Sequence, residues 1–123
     1  MNVLVVESSE VLRRRFASLV NDLDGVRVAR EASTAPEALA HLRETPIDAV
    51  ILDVDMPEGA GLTALQEIRR QAPACVLISV GGSAEPEIHE RALVLGADFY
   101  FTAALHLDLI GDILEEIAER IGS

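Results

Sequence analysis

Short apolar runs alternate five times with segments of helical periodicity along this 123-residue chain. The first run, Val3 to Val6, is followed by apolar residues spaced four, three and four positions apart, which is one face of a helix. The four later runs are Val26 to Ala29, Ala49 to Leu52, Val76 to Ile78 and Phe99 to Phe101. Strict alternation with short connections predicts a parallel sheet covered by helices on both faces, because each crossover is right-handed and buries its strand.

Signals for helix ends support this division of the chain. Thr34 to Glu37 is typical of a capping box, and the helix that begins there is expected to end near Glu44. Gly96 is typical of a helix C-cap before the fifth strand. The last helix is predicted from the apolar residues Leu107, Ile110, Leu114, Ile117 and Ile121. Since no linker or repeat interrupts the pattern, residues 1–123 are predicted to form one domain.

Composition excludes several classes of function. A formal net charge of −11 would repel nucleic acid and anionic membranes, so protein partners with basic surfaces are expected. The first apolar run is too short for a membrane span and lacks the basic flank of a signal peptide, which predicts a soluble, cytoplasmic protein. Cys75 is the only cysteine, so no disulfide framework is available, and its apolar neighbours predict a buried thiol.

Acidic and hydroxyl residues follow the predicted strands at the edge where open parallel sheets bind ligands. Residues 48–57 read DAVILDVDMP, and this short apolar run suits a strand buried on both faces with Asp53 at its carboxyl end. The candidate site residues are Glu7, Ser8 and Ser9 after the first strand, Asp53 and Asp55 after the third, Ser79 to Ser83 after the fourth, and Thr102 to Ala104 after the fifth.

Over essentially its whole length, the chain resembles the receiver domain of bacterial two-component response regulators. Asp53 stands in an LD-x-x-MP context, where that family has its phospho-accepting aspartate. Ser79 matches the Thr/Ser switch position, and Gly96-Ala97-Asp98 with Tyr100 matches a GAD-x-Y segment whose aromatic is the second switch residue. The resemblance implies an α/β fold, a (βα)5 doubly wound five-stranded parallel sheet of flavodoxin-like order 2-1-3-4-5.

The resemblance also implies partners and a mechanism. A receiver accepts a phosphoryl group on its aspartate from a histidine kinase or phosphotransfer protein, with Mg²⁺ and a lysine neutralising the phosphoryl charge. The expected partners are such kinases or phosphotransfer proteins, or other signalling proteins, and a homodimer would use the face of helix 4, strand 5 and helix 5.

The metal site departs from the family pattern. Receivers usually carry two adjacent acids after the first strand, whereas this chain has Glu7-Ser8, so one carboxylate is missing. Removing a unit charge about 5 Å from a dication forfeits on the order of 6 kcal/mol of attraction, before the desolvation of that carboxylate is credited back. Glu7 and Asp53 remain as ligands, with Asp55 as a candidate substitute, and Mg²⁺ binding is expected to be weak or absent.

Two further departures concern the phosphoryl group. The lysine that follows the fifth strand in the family is replaced by Ala103 and Ala104, and all ten basic residues of this chain are arginine. A charge-assisted hydrogen bond of the lost kind is worth roughly 1.5 to 3 kcal/mol. Val80 follows the switch hydroxyl where the family usually has Ala or Gly, and its branched side chain is expected to narrow the route to Asp53.

Two functions stay open at this point. The chain is a receiver with impaired metal and phosphate chemistry, or a phosphorylation-independent pseudo-receiver that acts as a protein-interaction module. An enzyme is not expected. Asp53-x-Asp55 superficially resembles the paired acids of haloacid-dehalogenase-like phosphatases, but in that family the motif follows the first strand rather than the third, and a lysine is required. A flavodoxin-like flavin site would need a hydroxyl- and glycine-rich loop where Glu7-Ser8-Ser9-Glu10 is acidic. Whether the chain acts alone or within a longer regulator is also left open.

Overall fold

Five parallel strands form one sheet in the order β2-β1-β3-β4-β5 in the computed structural model of the chain. The structure describes residues 1–56, 59–82 and 86–122, without the side chains of residues 103–106. The strands are β1 Asn2–Val6, β2 Arg27–Ala32, β3 Ala49–Asp53, β4 Val76–Gly81 and β5 Phe99–Thr102. The helices are α1 Glu10–Asn21, α2 Ala35–Glu44, α3 Ala60–Gln71, α4 Pro86–Val94 and α5 Ala103–Gly122. The predicted (βα)5 fold and strand order are confirmed.

Two apolar clusters cover the two faces of the sheet. Helices α2, α3 and α4 pack on one face, where Leu65 meets Val50 and Leu52, and α1 and α5 pack on the other, where Phe16 meets Ile51. The four apolar residues of β3, Ala49 to Leu52, point alternately into the two clusters and are buried, as expected for a central strand of a parallel sheet. This double burial fixes the direction in which β3 delivers the residue at its carboxyl end.

The boundaries of two strands differ from the sequence prediction. The prediction that β4 ends at Ile78 is wrong, because the strand continues to Gly81. Ser79 is tolerated inside it since its hydroxyl donates to the carbonyl oxygen of Phe99, at 2.9 Å. Strand β2 starts and ends later than its apolar run, because an edge strand with exposed side chains does not need that pattern.

Arg69 on α3 anchors the amino-terminal ends of β4 and β5. Its guanidinium donates to the carboxylate of Asp98 (2.8 Å) and to the carbonyl oxygens of Gly96 (2.7 Å) and Cys75 (2.8 Å). Asp98 in turn accepts the backbone N–H of Leu77 at 2.8 Å. The network therefore fixes the start of β5, the strand that carries Tyr100.

Two smaller predictions concern helix capping and the cysteine. The Thr34 hydroxyl accepts the backbone N–H of Glu37 at 3.3 Å, so the predicted cap of α2 is confirmed. Cys75 is buried as predicted, and burial raises the pKa of its thiol to about 11. Within the described ranges, no helix is both long and apolar enough to cross a membrane.

Candidate functional site

Glu7 and Asp53 meet at the carboxyl edge of the sheet. Asp53 is the last residue of β3, and Glu7 directly follows the neighbouring strand β1. The two side chains are hydrogen-bonded to each other. Asp53 also accepts the backbone N–H of Asp55 at 2.8 Å, and Glu7 accepts that of Ser9 at 2.9 Å. The backbone thus orients both carboxyl groups toward a common point.

The surroundings of Glu7 favour its protonated form. Glu7 is only 2% exposed. Burial raises the pKa of Glu7, and the hydrogen bond to Asp53 and the negative charge of Asp53 raise it further, to about 7. Two ionised carboxylates cannot donate to each other, whereas a protonated Glu7 can donate to Asp53. Glu7 therefore keeps its proton up to about neutral pH.

The raised pKa makes the stability of the protein depend on pH. Unfolded Glu7 loses its proton near its ordinary pKa of 4.5, whereas folded Glu7 keeps it up to about pH 7. The folded state therefore binds more protons in this interval, and the free energy of unfolding falls as the pH rises through it. Between pH 5 and pH 8 the free energy of unfolding is expected to fall by about 2 kcal/mol. This figure allows for solvent screening in the groove beside Glu7.

Glu7→Gln is expected to remove this loss, because a neutral amide has no proton to release. The check is denaturant unfolding of wild type and variant at pH 5 and pH 8. Glu10→Gln, which changes an exposed acid of α1, is the control and should retain the wild-type pH dependence. Parallel pH profiles for wild type and Glu7→Gln would contradict the raised pKa of Glu7.

Asp55 lines the same groove as Glu7 and Asp53 but is bonded to the backbone after β4. Its carboxylate accepts the backbone N–H of Gly82 just after β4. In the described part of the chain, no three His, Cys, Asp or Glu side chains are grouped so as to hold a metal ion. Glu7 and Asp53 fit Mg²⁺ as a two-carboxylate set completed by waters, and Asp55 would first have to leave Gly82 to join them.

A groove of about 900 Å³ opens beside the acids, between α1 and the start of α5. Its walls combine the carboxylates with apolar residues, among them Leu12, Phe16 and Leu107. Ser8, which follows Glu7 in the sequence, is exposed and lines this groove. The approach to Asp53 is therefore open.

Arg13 is the basic residue of α1 most closely tied to the site. Its guanidinium pairs with Glu31 (3.3 Å) and donates to the backbone carbonyl oxygen of Glu7 (3.0 Å). The guanidinium group thus lies near the two carboxyl groups, but its bonds go to Glu31 and to the backbone and not to either of these carboxyl groups. It does not supply the cation that the missing lysine would have provided.

The remaining residues singled out from the sequence lie around β4 and β5. Ser79 is fully buried and bonded to the carbonyl of Phe99, two residues before the end of β4. Val80 is buried in the cluster beneath α1 and α5 and also lines the groove that contains Asp53, so the narrowing of the route to Asp53 stays a prediction. Ala103 and Ala104 begin α5, and their side chains lie outside the described residues.

Tyr100 is buried in β5, and two of its neighbours were missed by sequence reasoning. The ring of His89 on α4 packs on it with the ring centroids 4.0 Å apart. Gly81 lies against the tyrosine hydroxyl so closely that a Cβ at that position would overlap it. Burial, and then the charges of Asp55 and Asp53, raise the pKa of Tyr100. The adjacent glycines Gly81 and Gly82 were the available signal in the sequence.

Comparison with known proteins decides the family. Residues 3–115 match the family model described as the response regulator receiver domain. The chain belongs to this family. Response regulator GacA of Pseudomonas viridiflava is 32% identical over 102 residues, which are 83% of this chain and 48% of GacA. The receiver domain thus spans about half the length of this relative.

Solved receiver structures agree with the fold. A LuxR-family two-component response regulator from Aurantimonas sp. SI85-9A1 superposes with a TM-score of 0.86 at 24% identity, over 96% of this chain and 84% of that one. The response regulator domain of Thermotoga maritima CheB gives a TM-score of 0.80 at 26% identity, over 98% and 94% of the two chains. The receiver domain described here is thus a response-regulator module of two-component signal transduction.

Proposed function

We propose that this receiver domain accepts a phosphoryl group on Asp53 within a cytoplasmic phosphorelay, with weakened metal and phosphate handling. The observation that carries the proposal is the setting of Asp53. Its half-buried carboxylate ends β3, is oriented by the backbone N–H of Asp55 at 2.8 Å, and lines the open groove beside Glu7. The donor is a histidine kinase or phosphotransfer protein, and the domain itself is a signalling module rather than an enzyme.

The transfer is a displacement at phosphorus. A carboxylate oxygen of Asp53 forms the new P–O bond while the P–N bond to the donor imidazole breaks, and the imidazole nitrogen takes up a proton. Glu7 and Asp53 would hold Mg²⁺, and the bound ion would supply positive charge next to the phosphoryl oxygens. The backbone N–H of Asp55 orients the nucleophile. Because no lysine follows β5, the acyl phosphate forms slowly or decays quickly.

A second candidate is a pseudo-receiver that signals through protein contacts without phosphorylation. Two features favour it: the raised pKa of Glu7 favours the protonated form, which is a poor metal ligand, and the Asp55 carboxylate is bonded to Gly82. The contact surface in this case is the face of α4, β5 and α5, where Leu93 and Val94 are exposed at the end of α4. Burying these two exposed apolar side chains against a second copy of the domain would favour a homodimer through that face.

The two candidates differ in one measurement. Incubation with Mg²⁺ and acetyl phosphate is expected to add the mass of one phosphoryl group to the wild-type protein. Asp53→Ala should show no adduct, and Asp24→Ala, which removes an exposed acid outside the site, should be modified like wild type. Intact-mass spectrometry provides the readout. Absence of any wild-type adduct at millimolar Mg²⁺ would favour the interaction module.

A further inference from the structure

Three consecutive arginines on α1 have their charges engaged in different ways. Arg13 pairs with Glu31 and donates to the backbone carbonyl oxygen of Glu7. Arg14 forms an ion pair of 2.8 Å with an acid one turn before it on the same helix. Within the described part of the chain, the side chain of Arg15 makes neither an ion pair nor a hydrogen bond. Of these three arginines, Arg15 therefore has the charge that is available to a ligand.

Arg15 lies on the α1 wall of the groove that contains Asp53. Leu12, one turn before it on α1, lines the same groove. Consecutive helical residues are about 100° apart around the axis, so Arg13 and Arg15 point to nearly opposite sides of α1. Arg13 reaches Glu31 on β2, whereas Arg15 is exposed on the side of the groove. The two arginines thus flank the site from different directions.

The direction of α1 brings the Arg15 side chain toward Asp53. The helix follows β1 after three residues, so it begins at the carboxyl edge of the sheet, where β3 ends in Asp53. Arg15 lies about 7.5 Å along the axis from the first helical residue, and helical side chains lean back toward the amino terminus. An extended arginine side chain covers a distance of this order. Arg13 already reaches back in this way, since it contacts the carbonyl oxygen of Glu7 at 3.0 Å.

Phosphorylation would give the Arg15 guanidinium a suitable partner. A phosphoryl group on Asp53 would project from the end of β3 into the groove, with about two negative charges and three acceptor oxygens. A guanidinium matches such a group through its planar array of N–H donors. The residue after β5 is Ala103, and the chain contains no lysine that could take this part. The cation on the groove wall is an arginine of α1 instead.

We propose that Arg15 contacts the phosphoryl group of phosphorylated Asp53 from α1, and so supplies part of the positive charge that a lysine after β5 would provide. This inference rests on the proposed function, because it requires Asp53 to be the acceptor. Arg15 is exposed and loses side-chain freedom when it binds, so its contribution is that of a solvent-exposed ion pair. Phosphate handling is then weakened and not abolished.

The affinity for beryllofluoride, a mimic of the bound phosphoryl group, tests this contact. Wild type and variants are titrated with beryllofluoride at a fixed Mg²⁺ concentration, and fluorine NMR measures the bound fraction. Arg15→Gln is expected to weaken binding about fivefold, the value of one exposed ion pair. Arg15→Lys should recover part of this loss, because an ammonium supplies the charge without the planar array of donors.

Arg14→Gln is the matched control, since it removes the same charge from the neighbouring exposed residue of α1. It should bind beryllofluoride like wild type. A second measurement reports the contact directly: the Nε–H signal of Arg15, identified by its absence from Arg15→Gln, should shift when beryllofluoride binds to wild type. A role of Arg15 in folding alone would not move this signal.

Two outcomes would overturn the inference, and they differ in what else they affect. If wild type binds beryllofluoride, while Arg15→Gln binds it equally well and the Arg15 signal does not shift, the contact is absent and the proposed phospho-acceptor function still stands. If wild type binds no beryllofluoride and takes no phosphoryl group from acetyl phosphate, the proposed function fails, and the role of Arg15 fails with it.

Discussion

Ser8→Asp is expected to tighten Mg²⁺ binding by about a hundredfold. The new carboxylate would stand in the groove beside Glu7 and Asp53, which supply only two ligands at present. At an effective dielectric constant near 20, the attraction between this unit negative charge and Mg²⁺ about 5 Å away would be on the order of 6 kcal/mol. Because Ser8 is exposed, solvent screening and desolvation leave about half of this, or roughly two orders of magnitude in affinity. Titration with Mg²⁺ followed by amide NMR measures the change.

Two control variants separate a ligand from a general charge effect. Ser8→Asn has nearly the size of aspartate but no charge, and should bind Mg²⁺ only slightly better than wild type. Ser18→Asp adds the same charge to an exposed residue of α1 that lines the groove beyond the acids. If Ser18→Asp tightened binding as much as Ser8→Asp, the gain would come from net charge and not from a completed metal site.

Ala103→Lys is expected to increase the lifetime of phosphorylated Asp53 about ten- to a hundredfold, the equivalent of one charge-assisted hydrogen bond. Residue 103 immediately follows β5, which pairs with β4 and so ends at the same edge of the sheet as Asp53. An ammonium group there would stabilise a phosphoryl oxygen and slow the loss of the group. The yield of adduct after a fixed time with acetyl phosphate, and its decay after removal of the donor, are the two measurements.

Ala104→Lys is the matched control, since it adds the same side chain one residue further along α5. Its adduct should decay as fast as that of wild type. Equal decay of both lysine variants and wild type would mean that the missing lysine does not limit the phosphate chemistry. The raised pKa of Glu7, which disfavours its metal-binding carboxylate form, would then be the main obstacle to phosphorylation.

The sequence was sufficient to predict the fold because each element carries its own pattern. Alternation of apolar runs and helical spacing fixed the parallel sheet, and the run before Asp53 placed that residue at its carboxyl edge. Boundaries were less certain where a polar residue enters a strand. Ser79 looked like the end of β4, because its hydrogen bond to Phe99 depends on a strand that is distant in the sequence.

Contacts between distant elements limited what could be predicted of the site. The hydrogen bond between Glu7 and Asp53 and the raised pKa that accompanies it depend on burial, which composition does not report. The packing of Tyr100 between Gly81 and His89 joins three elements and has no local pattern. A glycine that provides space for a neighbour looks, in the sequence, like one that provides a turn.

The Arg69 network gives the two ends of the sheet different tolerance to substitution. Its guanidinium donates to four backbone carbonyl oxygens and to the Asp98 carboxylate, all near the amino-terminal ends of β4 and β5. A lysine at position 69 could not replace these bonds, because its ammonium group lacks the planar array of N–H donors of a guanidinium. The opposite end holds Glu7, whose burial raises its pKa and so costs free energy when the side chain is ionised. Replacing Glu7 by a neutral residue there removes this cost, so substitutions at the site edge leave the fold intact more readily than substitution of Arg69.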